Sequence, residues 1–297
     1  MSTARPASIQ PRAAFVGRTT ADAIYWLRRL PEEDTKVFAR QFRIAPGGPA
    51  CNAAITHALL GGETILVSAI GSGPIADLVR RNLHSAGVGL VDLAPETGYD
   101  TPLATVLIGD SGRTRTIVNP PAATVEFHAP QAWSENLGSP PAIVLTDGFH
   151  LPEVLPLLRN LHALGSMLVL DGGSWKPGTG EVTALLTVAI CGERFCPPGC
   201  DSSPEATIAW FLDRGVQQVA ITRGPRSILA CDGTSRFEIE VQPILAVDTL
   251  GAGDVLHGAF CYQFAKCGDF RTAIERAAES ATRSCTGPGI DHWITGR

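Results

Sequence analysis

The chain has 297 residues, 44% of them hydrophobic and 18% charged, and its 29 acidic and 24 basic side chains leave a net charge of −5. That length carries one large α/β domain with an appended element, or at most two domains. The absence of a basic block and of any apolar run of membrane-spanning length argues against a nucleic-acid or membrane partner.

Residues 1–12 are rich in Ser, Ala and Pro and read as a flexible tail, with no charged-then-apolar leader. The eight cysteines are scattered, and Cys231, Cys261 and Cys285 sit in apolar surroundings. Small buried thiols of a reducing cytosol account for them, so a cytoplasmic location is expected. Cys191, Cys196 and Cys200 cluster without a CxxC pair or a neighbouring His, which argues against zinc.

Ala13-Ala14-Phe15-Val16-Gly17 reads as a short buried strand, and residues 20–27 continue extended with Asp22 interrupting an apolar stretch. Alone, such an acid is a turn residue. A polar turn at Pro31-Glu32-Glu33-Asp34 precedes residues 36–44, where Val37, Phe42 and Ile44 alternate with polar neighbours as in a half-exposed antiparallel strand. Gly47-Gly48-Pro49 then opens a helix running to about Leu60. The two glycines let backbone close on a ligand, and Asn52 offers a donor and acceptors to hydroxyl groups. An ordinary strand-to-helix turn has the same wording.

Residues 63–71 read as a buried strand and 74–86 as a helix with Ala76, Val79 and Leu83 on one face. Residues 103–109 and 114–119 read as strands joined by Asp110-Ser111-Gly112-Arg113, a hairpin signal. With residues 20–44 they form a small sheet. The second half alternates strand and helix, the pattern of a parallel doubly wound sheet. Strands are expected at 142–148, 166–171, 188–191, 219–224 and 227–231, with a helix at 151–164 interrupted early by Pro156. Asp171, Glu193, Thr222 and Asp254 all fall at or just past a strand end, where ligands sit in such sheets.

The stretch Asp248-Thr249-Leu250-Gly251-Ala252-Gly253-Asp254 follows an extended run ending at Val247 and leads into an apolar helix. Gly251 and Gly253 free the turn of side chains, so the N–H groups of Gly251, Ala252 and Gly253 become unpaired donors at a helix N-terminus. Asp254 sets a carboxylate beside that anion hole. A base next to donors for anionic oxygens is what phosphoryl transfer to a hydroxyl requires. A glycine turn capped by an acid is the plain alternative for GxGD alone.

The whole heptad, with Asp at both ends, resembles the C-terminal signature of the PfkB-type, ribokinase-like sugar kinases. The early strand with Asp22 and the Gly47-Gly48-Pro49-Ala50-Cys51-Asn52 turn resemble the same family's N-terminal half. Gly-Gly-Pro-Ala is closest to the sulfofructose-kinase-like branch, while Pro-Glu-Glu-Asp and the heptad wording resemble ketohexokinase. Pro49 departs from the Lys or Asn of many members, and Gly192 from an Asn.

The resemblance implies a kinase domain over residues 13–297: a ribokinase-like, doubly wound, mostly parallel sheet with helices on both faces. It also implies a small β-sheet lid from about 20–45 and 99–119, which closes over the sugar and joins two subunits into a homodimer. Asp22, Gly47, Gly48 and Asn52 then match positions that hold the sugar. Arg115 matches a substrate-facing Arg, with Arg113 as its rival. Glu193 is expected to act through water on Mg2+, or else to pair with Arg194 or Arg223; Asp171 is a weaker metal candidate. Thr222, Arg223, Gly224 and Thr249 match the nucleotide-phosphate turn, and Ala278, Cys285 and Gly287 the adenine wall, although helix packing explains the alanine equally well.

His257 faces the same side of its helix as Asp254, as a ligand contact or a packed residue. Asp248 is a contributor to any monovalent-cation site. The activity implied is ATP- and Mg2+-dependent phosphorylation of a primary sugar hydroxyl, a ketohexose first. A riboside kinase, or a non-catalytic sensor on the same scaffold, are the alternatives.

Overall fold

The computed structural model describes residues 10–95, 98–109, 115–121, 127–134 and 137–295. Its first strands are β1 (Arg12–Val16), β2 (Thr20–Leu27) and β3 (Gln41–Gly47), followed by α1 (Pro49–Leu59) and β4 (Glu63–Ser68). Then come α2 (Gly73–Ser85), β5 (Val88–Asp92), β6 (Leu103–Gly109) and β7 (Arg115–Val118). The middle of the chain holds β8 (Ile143–Thr146), α3 (Leu151–Ala163), β9 (Met167–Gly172), α4 (Thr179–Thr183) and β10 (Leu186–Gly192). Next are α5 (Pro204–Leu212), β11 (Gln218–Arg223), β12 (Arg226–Cys231) and β13 (Arg236–Ile239). Three helices close the chain: α6 (Ala252–Cys267), α7 (Phe270–Ser284) and α8 (His292–Thr295).

Nine strands make one sheet in the order β13-β12-β11-β10-β9-β8-β1-β4-β5. Neighbours are parallel from β5 to β11, and the last two pairings are antiparallel. Strands covered on both faces read as continuous apolar runs, as in β1 and β8. Their side chains alternate between faces. Phe15, Leu66, Leu145 and Ile190 pack under α1, α2, α6 and α7, whereas Val16, Val144, Leu170 and Cys191 pack under α3 and α5. The chain builds outward from β1 through β4 and β5, then returns to the other side of β1 as β8. That reversal opens a crevice at the carboxyl ends of β1 and β8.

The smaller sheet has the order β3-β2-β6-β7. Its inner face carries Ile24, Ala45, Val106 and Ile108, packed with Trp26 and with Leu250 of the glycine loop. Four expectations change. The strand expected at 36–44 begins at Gln41 and runs to Gly47, because β2 offers pairing only from Trp26 to Thr20; Phe38 is left exposed. Pro156 sits inside an unbroken α3. Buried Leu151, Val154, Leu157, Leu158 and Leu161 are each worth about 1.5–3 kcal/mol, which outweighs the roughly 3 kcal/mol of an internal proline. The run to Val247 is not a strand: β13 ends at Ile239, and Leu245 and Val247 are exposed. Arg12, read as tail, starts β1, pairs with Glu63 at 3.1 Å and donates to the Leu137 carbonyl. The 110–113 turn lies outside the described residues, Arg113 with it.

Candidate active site

The glycine loop is tied down from behind. Val247 N–H donates to the Cys285 carbonyl at 2.8 Å, and the buried Asp248 carboxylate accepts from Leu250 N–H at 2.9 Å and Gly289 N–H at 3.2 Å. Gly251 is the N-cap of α6 in the left-handed region, φ 71° and ψ 6°, where no side-chain cap is made. A Cβ there would stand 2.5 Å from Ile290 Cγ2, so glycine is required both by conformation and by space. Of the three donors expected, Ala252 N–H leans back to the Thr249 carbonyl at 3.4 Å. The N–H groups of Gly253 and Asp254 open the helix without an intrahelical acceptor, and Gly253 is exposed.

Asp254 stands in the first turn of α6, and Asn52 Nδ2 in the first turn of α1 donates to its Oδ2 at 2.7 Å. Burial pushes the Asp254 carboxyl up to about 7, the charge of Asp171 adds to the shift, and the Asn52 hydrogen bond opposes it. Asp171 is itself buried at the end of β9, 3.5 Å from His257 Nδ1. His257 faces the Gly253 carbonyl with Nδ1 at 2.8 Å and the Ile190 carbonyl with Nε2 at 3.1 Å. It braces the helix start against the sheet.

Asp22 accepts from Thr20 Oγ1 at 2.7 Å, and burial raises its pKa. A Cβ on Gly47 would overlap the Asp22 carboxylate, so that glycine serves close approach; Gly48, with φ 94°, caps α1. Asp22, Asn52, Arg43, Leu250, Gly289 and Asp291 line a cleft of about 340 Å³. The structure thus gathers Asp22, Gly47, Gly48 and Asn52 on one side, with Asn52 reaching Asp254.

Two residues of this region escape a sequence reading. Arg43 forks onto Asp291, 3.2 Å and 3.1 Å, bridging β3 to the segment after α7. The period-2 alternation of β3 carries the signal, since Arg43 lies opposite Ile24 on the inward face while Phe42 points out. Asp147, fully buried, accepts from the N–H groups of Arg18, Ala50 and Phe149 at 2.9, 3.1 and 2.9 Å. It caps α1 from another strand end, in place of the side chain that Gly48 lacks.

Other candidates are placed elsewhere. Arg115 shares the inward face but is exposed on β7, the far edge of its sheet and two strands from β2, about 10 Å away. Arg43, not Arg115, lines the cleft. Glu193 is paired with Arg226, neither with Arg194 nor with Arg223. Arg223 turns away from the loop, with Nε on the Ser227 carbonyl at 2.7 Å and Nη2 on Ser227 Oγ at 2.8 Å, because the antiparallel β11–β12 hairpin folds Ser227 beside it. Thr222 Oγ1 donates to the Cys191 carbonyl at 3.3 Å, and Gly224 takes φ 64° in the hairpin turn.

Ala278 lines a groove of about 610 Å³ between β13 and α7, rimmed by Glu238, Glu240, Glu275 and Glu279. Cys285 is buried at the end of α7, and Gly287 leaves room for the His292 ring. Among the described residues no cluster of three His, Cys, Asp or Glu side chains forms a ready metal cage, and no helix is long and apolar enough to cross a membrane.

The pfkB family carbohydrate kinase profile matches residues 10–293. A deoxyribokinase of Salmonella typhi is 23% identical over 291 residues, covering 93% of each chain. Ketohexokinase of Mus musculus is 28% identical over 289 residues, covering 93% of this chain and 96% of the relative. An Escherichia coli ribokinase-fold structure solved with ATP and Mg2+ superposes with a TM-score of 0.77 at 19% identity, covering 96% of both chains. The ribokinase-like α/β fold is thereby shown.

Proposed function

The chain belongs to the pfkB family of carbohydrate kinases, and we propose that it transfers the γ-phosphate of ATP to a primary hydroxyl of a sugar held between Asp22, Asn52 and Asp254. One observation carries this reading: a carboxylate raised toward neutrality stands at the start of α6, hydrogen-bonded to an Asn that lines the cleft. A base with a pKa near the working pH combines availability with proton affinity. Asp254 Oδ2 takes the hydroxyl proton, while the Gly253 and Asp254 N–H groups face the charge gathered on the transferred oxygens. Asp22 and Asn52 orient the sugar hydroxyls, with Gly47 and Gly48 letting the main chain approach.

The acidic groove at Ala278 suits a base carrying an exocyclic amine, with Cys285 and Gly287 at its end. Thr222, Gly224 and Thr249 remain the proposed phosphate-side residues. Asp171, whose charge is one cause of the Asp254 shift, would hold Mg2+, which would supply neutralisation of phosphate charge there. Glu193 would join that shell only on releasing Arg226. A monovalent cation at Asp248 would share its oxygens with the Leu250 and Gly289 amides.

The relatives act, by name, on deoxyribose and on a ketohexose, and a ketohexose or related sugar is the proposed acceptor. ADP release over a panel of ketoses, aldoses and nucleosides tests the reading, with Asp254→Asn as control. Turnover by wild type and its loss in the variant is the expected result. Saturable sugar binding without ADP release from wild type would make the protein a sensor.

A further inference from the structure

The cleft is polar at both ends. Asn52, which reaches Asp254, marks the inner end, and apolar Ile24, Ala45 and Leu250 line the stretch beyond it. Arg43 closes the outer end: Asn52 is 7% exposed, the Arg43 side chain 41%. The register of the lid sets the spacing. Ala45 pairs with Asp22, and Arg43 lies two residues further along β3 on the same face, about 7 Å away. One monosaccharide spans that distance from a hydroxyl at the inner end to a hydroxyl at the outer end.

Arg43 is held in place. Its Nη1 and Nη2 donate to the two oxygens of Asp291 at 3.2 and 3.1 Å, a two-point contact that fixes the direction of the guanidinium plane. Burial acts to raise the Asp291 pKa, but the hydrogen bond and charge of Arg43 leave it lowered, so the carboxylate stays ionised for the fork. The fork sits on Gly289, where a Cβ would come within 3.0 Å of Arg43 Nη1, and Gly289 N–H is anchored on the Asp248 carboxylate. Two of the five Arg43 N–H groups go to Asp291, and the other three have no protein acceptor among the described residues. Asp291 already balances the charge, so a neutral hydroxyl oxygen is the ligand these donors call for.

We propose that Arg43, oriented by Asp291, donates to the hydroxyl at the sugar end remote from the phosphorylated one and makes that hydroxyl a requirement for the acceptor. Arg43 is then a specificity-determining residue and Asp291 its positioning residue. An acceptor without the hydroxyl would cover the guanidinium and leave its donors unpaired. Ribosides are disfavoured on the same ground, because the base takes that hydroxyl's place. This rests on the kinase reading above and deepens it to the atom of the sugar that is read.

The test compares ADP release by the full chain on ribose with that on 1,4-anhydroribitol, the same ring without its anomeric hydroxyl, and on fructose with that on 1-deoxyfructose and 6-deoxyfructose. One deoxyfructose lacks the reacting hydroxyl and releases no ADP; the other lacks the remote hydroxyl. The parent sugar should be favoured over the analogue lacking the remote hydroxyl by about 10- to 100-fold in kcat/KM, the range for a hydrogen bond to a charged group. Arg43→Met should erase most of that preference by raising KM for the parent, and Asp291→Asn should erase part. Arg43→Lys, a cation without the fork, should keep part of it. A purely structural fork would weaken parent and analogue alike. The pair is partly exposed, so all three variants should fold, which thermal melts verify. Equal turnover of parent and analogue by wild type, or a preference kept in Arg43→Met, overturns the role of Arg43 while leaving the kinase standing. Should no sugar turn over, titration calorimetry with ribose, fructose and the same analogues decides. Tighter binding of the parents, by a margin lost in Arg43→Met, upholds the role although the kinase reading has failed, and no binding, or equal binding, overturns it.

Discussion

At Asp254 burial and a neighbouring carboxylate oppose ionisation while Asn52 favours it, and the balance sets when the base is available. Because the carboxyl rises to about 7, kcat/KM should climb with pH through that region in the free enzyme and level off above it. Asn52→Leu removes the hydrogen bond to the charged form, so the rising limb should move to higher pH; a limb left in place would separate Asn52 from the titration. Asp254→Asn should lower kcat by about 10²–10⁴-fold, the usual weight of general-base catalysis.

Linkage gives the same residue a stability signature. Its folded pKa lies above the ordinary 3.8, so between about 4 and about 7 the folded state holds more protons than the unfolded, and its contribution to stability falls as pH rises. The melting temperature of Asp254→Asn relative to wild type should therefore be higher at pH 8 than at pH 5. Equal differences at both pH values would mean that the carboxylate is not desolvated as the structure has it.

Elements meet at the cleft through a few contacts that fix how they stand to one another. The first turn of α6 is packed by Ile290 at Gly251, and β3 is fastened to the same C-terminal segment by the Arg43–Asp291 fork. Gly251→Ala should cost about 1 kcal/mol or more from its left-handed backbone alone. Adding Ile290→Ala should recover the steric part but not the conformational part, which melts of the single and double variants would resolve. Arg43 and Asp291 are about one-third exposed, so their pair contributes little to global stability, under about 1 kcal/mol. Its effect belongs on binding: Arg43→Met should raise the sugar KM by about 10-fold with kcat largely kept. A variant with wild-type KM would remove the fork from the sugar site.

At the scale of the whole molecule, the outward face of the smaller sheet carries exposed apolar side chains. Tyr25 packs at a tilt against Phe42 there, their ring centroids 4.7 Å apart, and Phe42, Leu103 and Val118 are exposed. We propose that these exposed apolar side chains pack against the same face of a second copy. Light scattering at micromolar concentration should give a dimer that Phe42→Glu converts to monomer. A wild-type monomer would end that proposal.

The order of buried strands, the glycine loop, the helix behind it and the acids Asp22 and Asp254 were all legible in the chain, because apolar periodicity and glycine at a forced turn are local properties. What stayed hidden depended on pairing across long separations. Gln41, not Lys36, starts β3 because β2 supplies the hydrogen-bonding partners. Arg223 and Glu193 look equally suited to phosphate or metal until the β11–β12 hairpin gives one to Ser227 and the other to Arg226. Asp147 reads as part of the strand expected at 142–148 until the fold brings the Ala50 amide to it across 97 positions. The sequence by itself determined which residues have the chemistry for phosphoryl transfer. Only the tertiary structure decided which of them share a cleft, because a charged side chain takes whichever partner the packed elements put within hydrogen-bond reach.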